Sequence, residues 1–321
     1  MTTVVPKMDF TRPADVDPQE IIGTVNDWKA NQSFGSPALW TTVGRYCEQN
    51  SIRLPSLKRV LTAGAPVPPH VLKRLKKVVA DDGEIFTPYG ATEALPVASM
   101  DGTTVLNETA EQTEQGKGVC VGNRFPGIES MIIEISDDPI SELGSAKVLG
   151  PGEIGELIVR GDVVTREYVT RSESNALHKV VDGETFWHRM GDVGYLDEQG
   201  RFWFCGRKGH RVQTGQGTLF TIPCESIFNT HKKVYRTALV GVGPESDKTP
   251  VLIVECWPEE KPRNQLEEKQ LLDELRTTGR GFEITKSIQL FLFIDKMPVD
   301  IRHNSKIFRE KLSVWAETRM N

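Results

Sequence analysis

No stretch of this chain is apolar for long enough to cross a bilayer. The longest such runs, residues 251–257 and 288–294, fall far short of the roughly 20 residues a spanning helix needs, and both suit buried strands. Positive charge is not in excess either: 39 lysines and arginines against 44 aspartates and glutamates leave a net charge of −5, with the basic residues scattered. That disfavours nucleic acid or an anionic membrane as the main partner. Residues 1–10 lack the charged segment and apolar core of a secretory signal, so a cytoplasmic protein is expected. The five cysteines, Cys47, Cys120, Cys205, Cys224 and Cys256, are odd in number, widely spaced and form no C-x-x-C pair. Neither a zinc site nor a disulfide framework is implied, and buried free thiols are the expectation. Internal repeats and low-complexity tracts are missing as well.

What is present is a globular composition, 38% hydrophobic over 321 residues, enough for a substantial core and for two or three units. Residues 18–82 alternate helical patterns (19–29, 37–49) with a strand at 57–63, which points to an α/β layer. The next helix places Val71, Leu72, Leu75, Val78 and Val79 on one apolar stripe, with Lys73, Arg74, Lys76 and Lys77 outward as a solvated face. After about Gly116 come short β segments at 128–135, 153–160, 194–197 and 201–205, broken by glycine and proline, as in a small sheet or barrel. Beyond Arg207 lie strands at 235–242, 251–257 and 288–294, a charged helix at 264–276 and a closing helix in which Phe308, Leu312 and Trp315 share a face. The expected units are therefore an α/β unit over 1–116, a β-rich unit over 117–207 and a small α+β unit over 208–321.

Three constellations carry chemistry. Thr87-Pro88-Tyr89-Gly90-Ala91-Thr92-Glu93-Ala94 follows a strand expected at 84–86, which puts it on a loop at a strand's carboxyl end, where open α/β sheets bind ligands. It offers an aromatic face, a glycine for close backbone approach, a hydroxyl and a hard oxygen ligand for Mg²⁺; an ordinary turn is the bland reading. Met190-Gly191-Asp192-Val193-Gly194-Tyr195-Leu196-Asp197, followed by Gly200, Phe202, Phe204, Gly206 and Arg207, reads as a β-hairpin. Asp192 ahead of its first strand and Arg207 after its second could together bind the two hydroxyls of a ribose. Pro298-Val299-Asp300-Ile301-Arg302-His303-Asn304-Ser305-Lys306-Ile307 places Lys306 at the start of the closing helix, at the unfavourable end of its dipole. An anion at the helix start accounts for that placement; a surface lysine beside a cap at Asn304 or Ser305 is the commoner alternative.

In this order and at these separations the three motifs resemble the adenylate-forming superfamily of acyl-CoA synthetases, peptide-synthetase adenylation domains and luciferases. Thr62-Ala63-Gly64-Ala65-Pro66 resembles that family's adenine-side loop, and Gly155-Glu156-Leu157-Ile158-Val159-Arg160-Gly161 its G-E-L-x-V-R-G strand. The resemblance implies a partial large adenylation domain followed by a small mobile C-terminal lid. It implies an AMP-forming ligase in which Tyr89 stacks on adenine, Gly64, Ala65 and Gly90 line the nucleotide, Thr92 contacts the α-phosphate, Glu93 holds Mg²⁺, and Asp192 and Arg207 bind ribose. Lys306 would reach the α-phosphate and carboxylate oxygens as the nucleotidyl bond forms. ATP and Mg²⁺ are the implied cofactors.

The chain departs from the family in two places. It carries no Ser/Thr/Gly-rich phosphate loop ending in lysine, which the family places upstream, so a truncated or partial product is expected, impaired by itself. After Arg207, where relatives often have aspartate or lysine, it has Gly209-His210-Arg211-Val212, which puts CoA use in doubt. That stretch, Thr221 to Glu225 and Asp300 to Lys306 look most like the olefin-biosynthesis β-lactone synthetases. Their substrate is a long-chain 2-alkyl-3-hydroxy acid whose own hydroxyl closes on the activated carbonyl, with other olefin-biosynthesis enzymes as potential partners. His210 and His303 are candidate proton acceptors, a structural hydrogen bond being the commoner role. Two alternatives stand beside this reading: a long-chain fatty acid–CoA ligase, and a catalytically silent fragment or half of a split enzyme.

Overall fold

The computed structural model describes residues 2–300 and 306–320. Its first third is the expected α/β layer: α1 (Pro18–Trp28), β1 (Gln32–Gly35), α2 (Pro37–Gln49), β2 (Arg59–Thr62), α3 (Pro69–Val78), β3 (Glu84–Ala91), β4 (Ala94–Asp101), and the short helices α4 (Gly102–Thr104) and α5 (Ala110–Glu114). Local chemistry fixes the helix starts. The Asp17 carboxylate accepts from the Gln19 N–H at 2.9 Å and Ser36 Oγ from the Leu39 N–H at 3.3 Å, each ahead of a proline whose missing N–H costs nothing there. Leu39, Trp40, Val43 and Cys47 of α2 and the stripe Val71, Leu72, Leu75 and Val78 of α3 close over the sheet as one core.

The β-rich stretch follows: β5 (Val119–Arg124), β6 (Glu129–Ile133), β7 (Gly155–Arg160), α6 (Glu173–His178), β8 (Lys179–Asp182), β9 (Thr185–Leu196) and β10 (Phe202–Arg207). Among the described residues it forms no barrel. Strands run in the order β1-β2-β3-β4-β5-β10-β9-β7-β6, an open ten-stranded sheet with β8 beside β9. β1, β2 and β3 are parallel, whereas every later strand pairing within this sheet is antiparallel. The α/β layer and the β-rich stretch meet where Ala98 and Ser99 of β4 pair with Arg124 and Asn123 of β5.

The remainder contains the hairpin β11 (Val212–Thr214) and β12 (Gly217–Leu219), α7 (Thr221–Phe228), β13 (Val234–Val242), β14 (Thr249–Cys256), α8 (Gln265–Arg280), β15 (Leu290–Phe293) and α9 (Arg309–Met320). β13, β14 and β15 form a second sheet whose period-two alternation feeds two cores. Leu239, Leu252 and Val254 face α7 and α8; Ala238, Val240, Val251 and Ile253 face Leu312 and Ala316 of α9. α7 also packs on β10, so this sheet sits beside the hairpin that carries Asp192 and Arg207. All five cysteines are buried free thiols.

Two expectations are corrected here. The 87–94 motif is not a loop beyond a short strand: β3 continues through Ala91, and only Thr92 and Glu93 form the turn into β4. Lys306 does not begin the closing helix, which starts at Arg309. Its carbonyl accepts from the Asp300 N–H at 2.8 Å, and Val299 bridges Ile307. His303 falls outside the described residues.

Candidate active site

Asp192 and Arg207 lie inside β9 and β10, not before and after them, and are direct cross-strand partners. Such partners project to one face of the sheet with Cβ atoms about 5 Å apart, so register alone brings carboxylate and guanidinium together. Arg207 Nη1 donates to Asp192 Oδ1 at 2.7 Å and to the Met190 carbonyl at 3.1 Å. The Tyr89 hydroxyl, delivered from β3, donates to Asp192 Oδ2 at 2.6 Å. Gly191 turns the chain beside the guanidinium at φ 65°, a left-handed conformation that favours glycine.

Asp192 is only 5% exposed. Burial pushes its carboxyl above the ordinary carboxylate range, against the opposing pull of Arg207 and the Tyr89 hydroxyl. Burial, followed by the negative charge of Asp192, holds the Tyr89 phenol protonated well above its usual range, so it stays a donor. A carboxylate offers about four acceptor positions. Two are engaged here, which leaves capacity for a further pair of hydroxyls. The Tyr89 ring is flanked by Phe202 and Phe204, with centroids at 5.6 and 6.3 Å.

Glu93 stands at the β3–β4 turn and Thr92 is exposed at its tip. Glu93 Oε1 accepts from the Tyr168 hydroxyl at 2.9 Å. Burial raises its carboxyl, but the Tyr168 hydrogen bond, its own backbone and the charges of His188 and Arg207 outweigh that and leave it below the usual range. The Arg207 charge pulls on both carboxyls, in contact with Asp192 and at longer range with Glu93. Gly90 serves the hairpin itself, since a Cβ there would come within 2.6 Å of the Ala94 carbonyl. Gly64, at φ 99°, and Ala65 turn the chain just beyond β2, whose parallel pairing with β3 ends at Leu61 and Phe86. They therefore leave the sheet beside the stretch of β3 that carries Tyr89.

The chain after Arg207 is tied down by buried charge. Lys208 Nζ donates to Glu156 Oε2 at 3.1 Å and to the Ser136 carbonyl at 2.8 Å. The same carboxylate, fully buried, receives Arg189 Nη2 at 2.6 Å. Farther along, His210 Nε2 lies 3.5 Å from Glu310 at the head of α9, and burial pushes its imidazole down to about 4. Lys306 is exposed, three residues before that helix.

Of the nucleotide-handling residues expected from sequence, Tyr89, Asp192 and Arg207 are in hydrogen-bond contact, Glu93 stands at the turn that follows Tyr89's strand, and Lys306 lies on the tail. Sequence reasoning missed Tyr168, Lys179 and His188 around Glu93, and the Glu156–Arg189–Lys208 cluster. Tyr168 is a lone aromatic in a polar stretch, and no spacing marked it. Among the described residues no group of three or more histidine, cysteine or acidic side chains could hold a metal ion. A lone carboxylate fits Mg²⁺, which is bound through one or two carboxylates with substrate phosphates and water completing its shell.

The profile of a family described as AMP-binding enzyme matches residues 2–169, just over half of the chain. The chain belongs to the AMP-binding enzyme family. Within that family it is similar to an olefin beta-lactone synthetase of Stenotrophomonas maltophilia, 43% identical over 325 residues that cover 100% of this chain and 57% of the relative. The chain therefore spans a little over half the length of that curated relative. Solved structures of similar fold include an amide bond synthetase from Marinactinospora thermotolerans, with a TM-score of 0.75 at 22% identity over 94% of this chain and 56% of that one. Another is an O-succinylbenzoate Coenzyme A synthetase from Bacillus subtilis in complex with ATP and magnesium ion, with a TM-score of 0.70 at 19% identity, over 92% and 54%. These two share the adenylate-forming fold of this family member. No helix among the described residues is long and apolar enough to cross a membrane.

Proposed function

We propose that this chain carries the nucleotide site of a ligase that uses ATP to activate a long-chain 3-hydroxy carboxylic acid as its acyl-AMP, which then closes to a β-lactone. The observation that carries the reading is the Tyr89–Asp192–Arg207 cluster with Glu93 beside it. The likeness to the olefin beta-lactone synthetase supports the choice of substrate. Tyr89 offers its ring to adenine, with Gly64 and Ala65 along the base. Asp192 and Arg207 grip the ribose hydroxyls, and Thr92 donates to the α-phosphate. Glu93 would hold a magnesium ion, which when bound would neutralise phosphate charge.

In the first step a substrate carboxylate oxygen attacks the α-phosphorus, the bond to the β-phosphate oxygen breaks, and pyrophosphate leaves. The Lys306 ammonium stabilises the charge that gathers on the phosphoryl and carboxylate oxygens; one preorganised donor of this kind is worth about 10²- to 10³-fold in rate. In the second step the substrate's own 3-hydroxyl attacks the acyl carbon, the bond to AMP breaks, and the hydroxyl proton passes to a base. Burial pushes the His210 imidazole down to about 4 and it lies 3.5 Å from Glu310, so it is a weak proton acceptor at pH 7 and its position favours the structural role. An intramolecular nucleophile needs no external thiol, because its effective molarity is already high.

Incubation of the intact ligase to which this nucleotide site belongs with ATP, Mg²⁺ and a 2-alkyl-3-hydroxy acid is expected to give lactone, AMP and pyrophosphate without CoA. Product that appears only with CoA would replace lactone closure by thioester formation. Saturable AMP binding with no pyrophosphate exchange would instead mark a binding module without catalysis.

A further inference from the structure

Residues 161–171 cross the β3–β4 turn without regular secondary structure of their own, and they are fastened to it at several points. The Thr165 N–H donates to the Glu93 carbonyl at 2.8 Å, and Val164 bridges Ala94. The strap is held from behind as well: the Tyr168 N–H donates to Asn175 Oδ1 at 2.8 Å, and Lys179 Nζ donates to the Thr165 carbonyl. The Tyr168 ring is walled in by His178 and His188, with centroids at 5.6 and 6.5 Å, and by the Lys179 ammonium 5.8 Å from its centre. From this fixed ring the hydroxyl reaches Glu93 Oε1 at 2.9 Å.

We propose that Tyr168 is a positioning residue of the site: its hydroxyl occupies Glu93 Oε1 and so fixes the orientation in which the carboxylate would meet the divalent cation that accompanies the nucleotide. The inference rests on the reading of Glu93 as the cation's ligand. A glutamate on a turn has three side-chain torsions to fix, and ordering them beforehand removes that entropy cost from cation binding. Mg²⁺ accepts only near-ideal octahedral geometry, so a carboxylate oriented beforehand binds it better than a free one. Hydrogen-bond partners of metal-binding groups are worth roughly 10- to 100-fold in metal affinity, and the lower end suits a single phenol.

The test compares the protein with its Tyr168→Phe, Glu93→Gln and double variants, titrating Mn²⁺ in the presence of ATP and reading free Mn²⁺ by electron paramagnetic resonance. AMP affinity without metal and the melting temperature are measured alongside. Tyr168→Phe should weaken Mn²⁺ binding about 10-fold and leave metal-free AMP affinity and melting unchanged. In the Glu93→Gln background it should add nothing, because the hydroxyl acts through that carboxylate. A loss with Glu93→Gln but none with Tyr168→Phe would overturn the inference and leave the reading of Glu93 standing. No loss with Glu93→Gln would overturn both. Parallel losses of metal-free AMP affinity and melting temperature in Tyr168→Phe would make the tyrosine a structural prop and would also overturn it.

Discussion

The two ends of the proposed site are held in opposite ways. On the large sheet Tyr89, Asp192 and Arg207 are locked to one another at 2.6 and 2.7 Å by strand register, and the chain after Arg207 is pinned to a fully buried carboxylate. On the tail Lys306 is exposed, tied to its surroundings through its backbone carbonyl, and outside the helix that follows. The difference maps onto the two tasks. A group that recognises a ground-state ligand gains from being fixed in advance, whereas one that acts on transient charge need only arrive when the charge develops.

The comparison breaks first at Lys306. In the Lys306→Ala variant pyrophosphate exchange should fall by about 10²- to 10³-fold, while AMP affinity and melting temperature stay as in the parent. A matching loss of AMP affinity would make the lysine part of the binding seat and erase the contrast. A smaller effect sharpens the locked side. His188, beside the Tyr168 strap, is 2% exposed, and burial pushes it down to about 4 from an ordinary 6.5. Between those values the unfolded chain binds a proton that the folded chain refuses. Stability should therefore be intact above 6.5 and fall as pH drops toward 4, by roughly 1–2 kcal/mol between pH 7 and 5 for this one group. The His188→Asn variant should lose that share of the slope in denaturant unfolding at the two pH values. His70 and His210, also pushed to about 4 by burial, should keep the rest.

Much of the fold was legible because pattern and period agree. The stripes of α2 and α3, the hairpin closed by Asp197, and the alternation of β13 and β14 all follow from residue spacing. The length of β3 was not legible, because Pro88 argues against a strand interior. The structure resolves the conflict: pairing with β2 ends at Phe86, so beyond it β3 has a partner only on the β4 side. The start of α9 was misread because Phe308, Leu312 and Trp315 mark a face and say nothing of where the first turn begins. Charge burial was also invisible in sequence. Glu156 sits in a strand motif and Arg189 between His188 and Met190, and only the fold reveals that they neutralise each other at 2.6 Å.

The central claim is that Asp192 and Arg207 seat the sugar of an adenine nucleotide, and calorimetric titration with AMP and with 2′,3′-dideoxy-AMP tests it most directly. The account predicts saturable AMP binding, a loss of about 10-fold or more when the two hydroxyls are removed, and no such discrimination in the Asp192→Asn variant. Equal affinity of the parent for both nucleotides, or discrimination that survives the substitution, would contradict it.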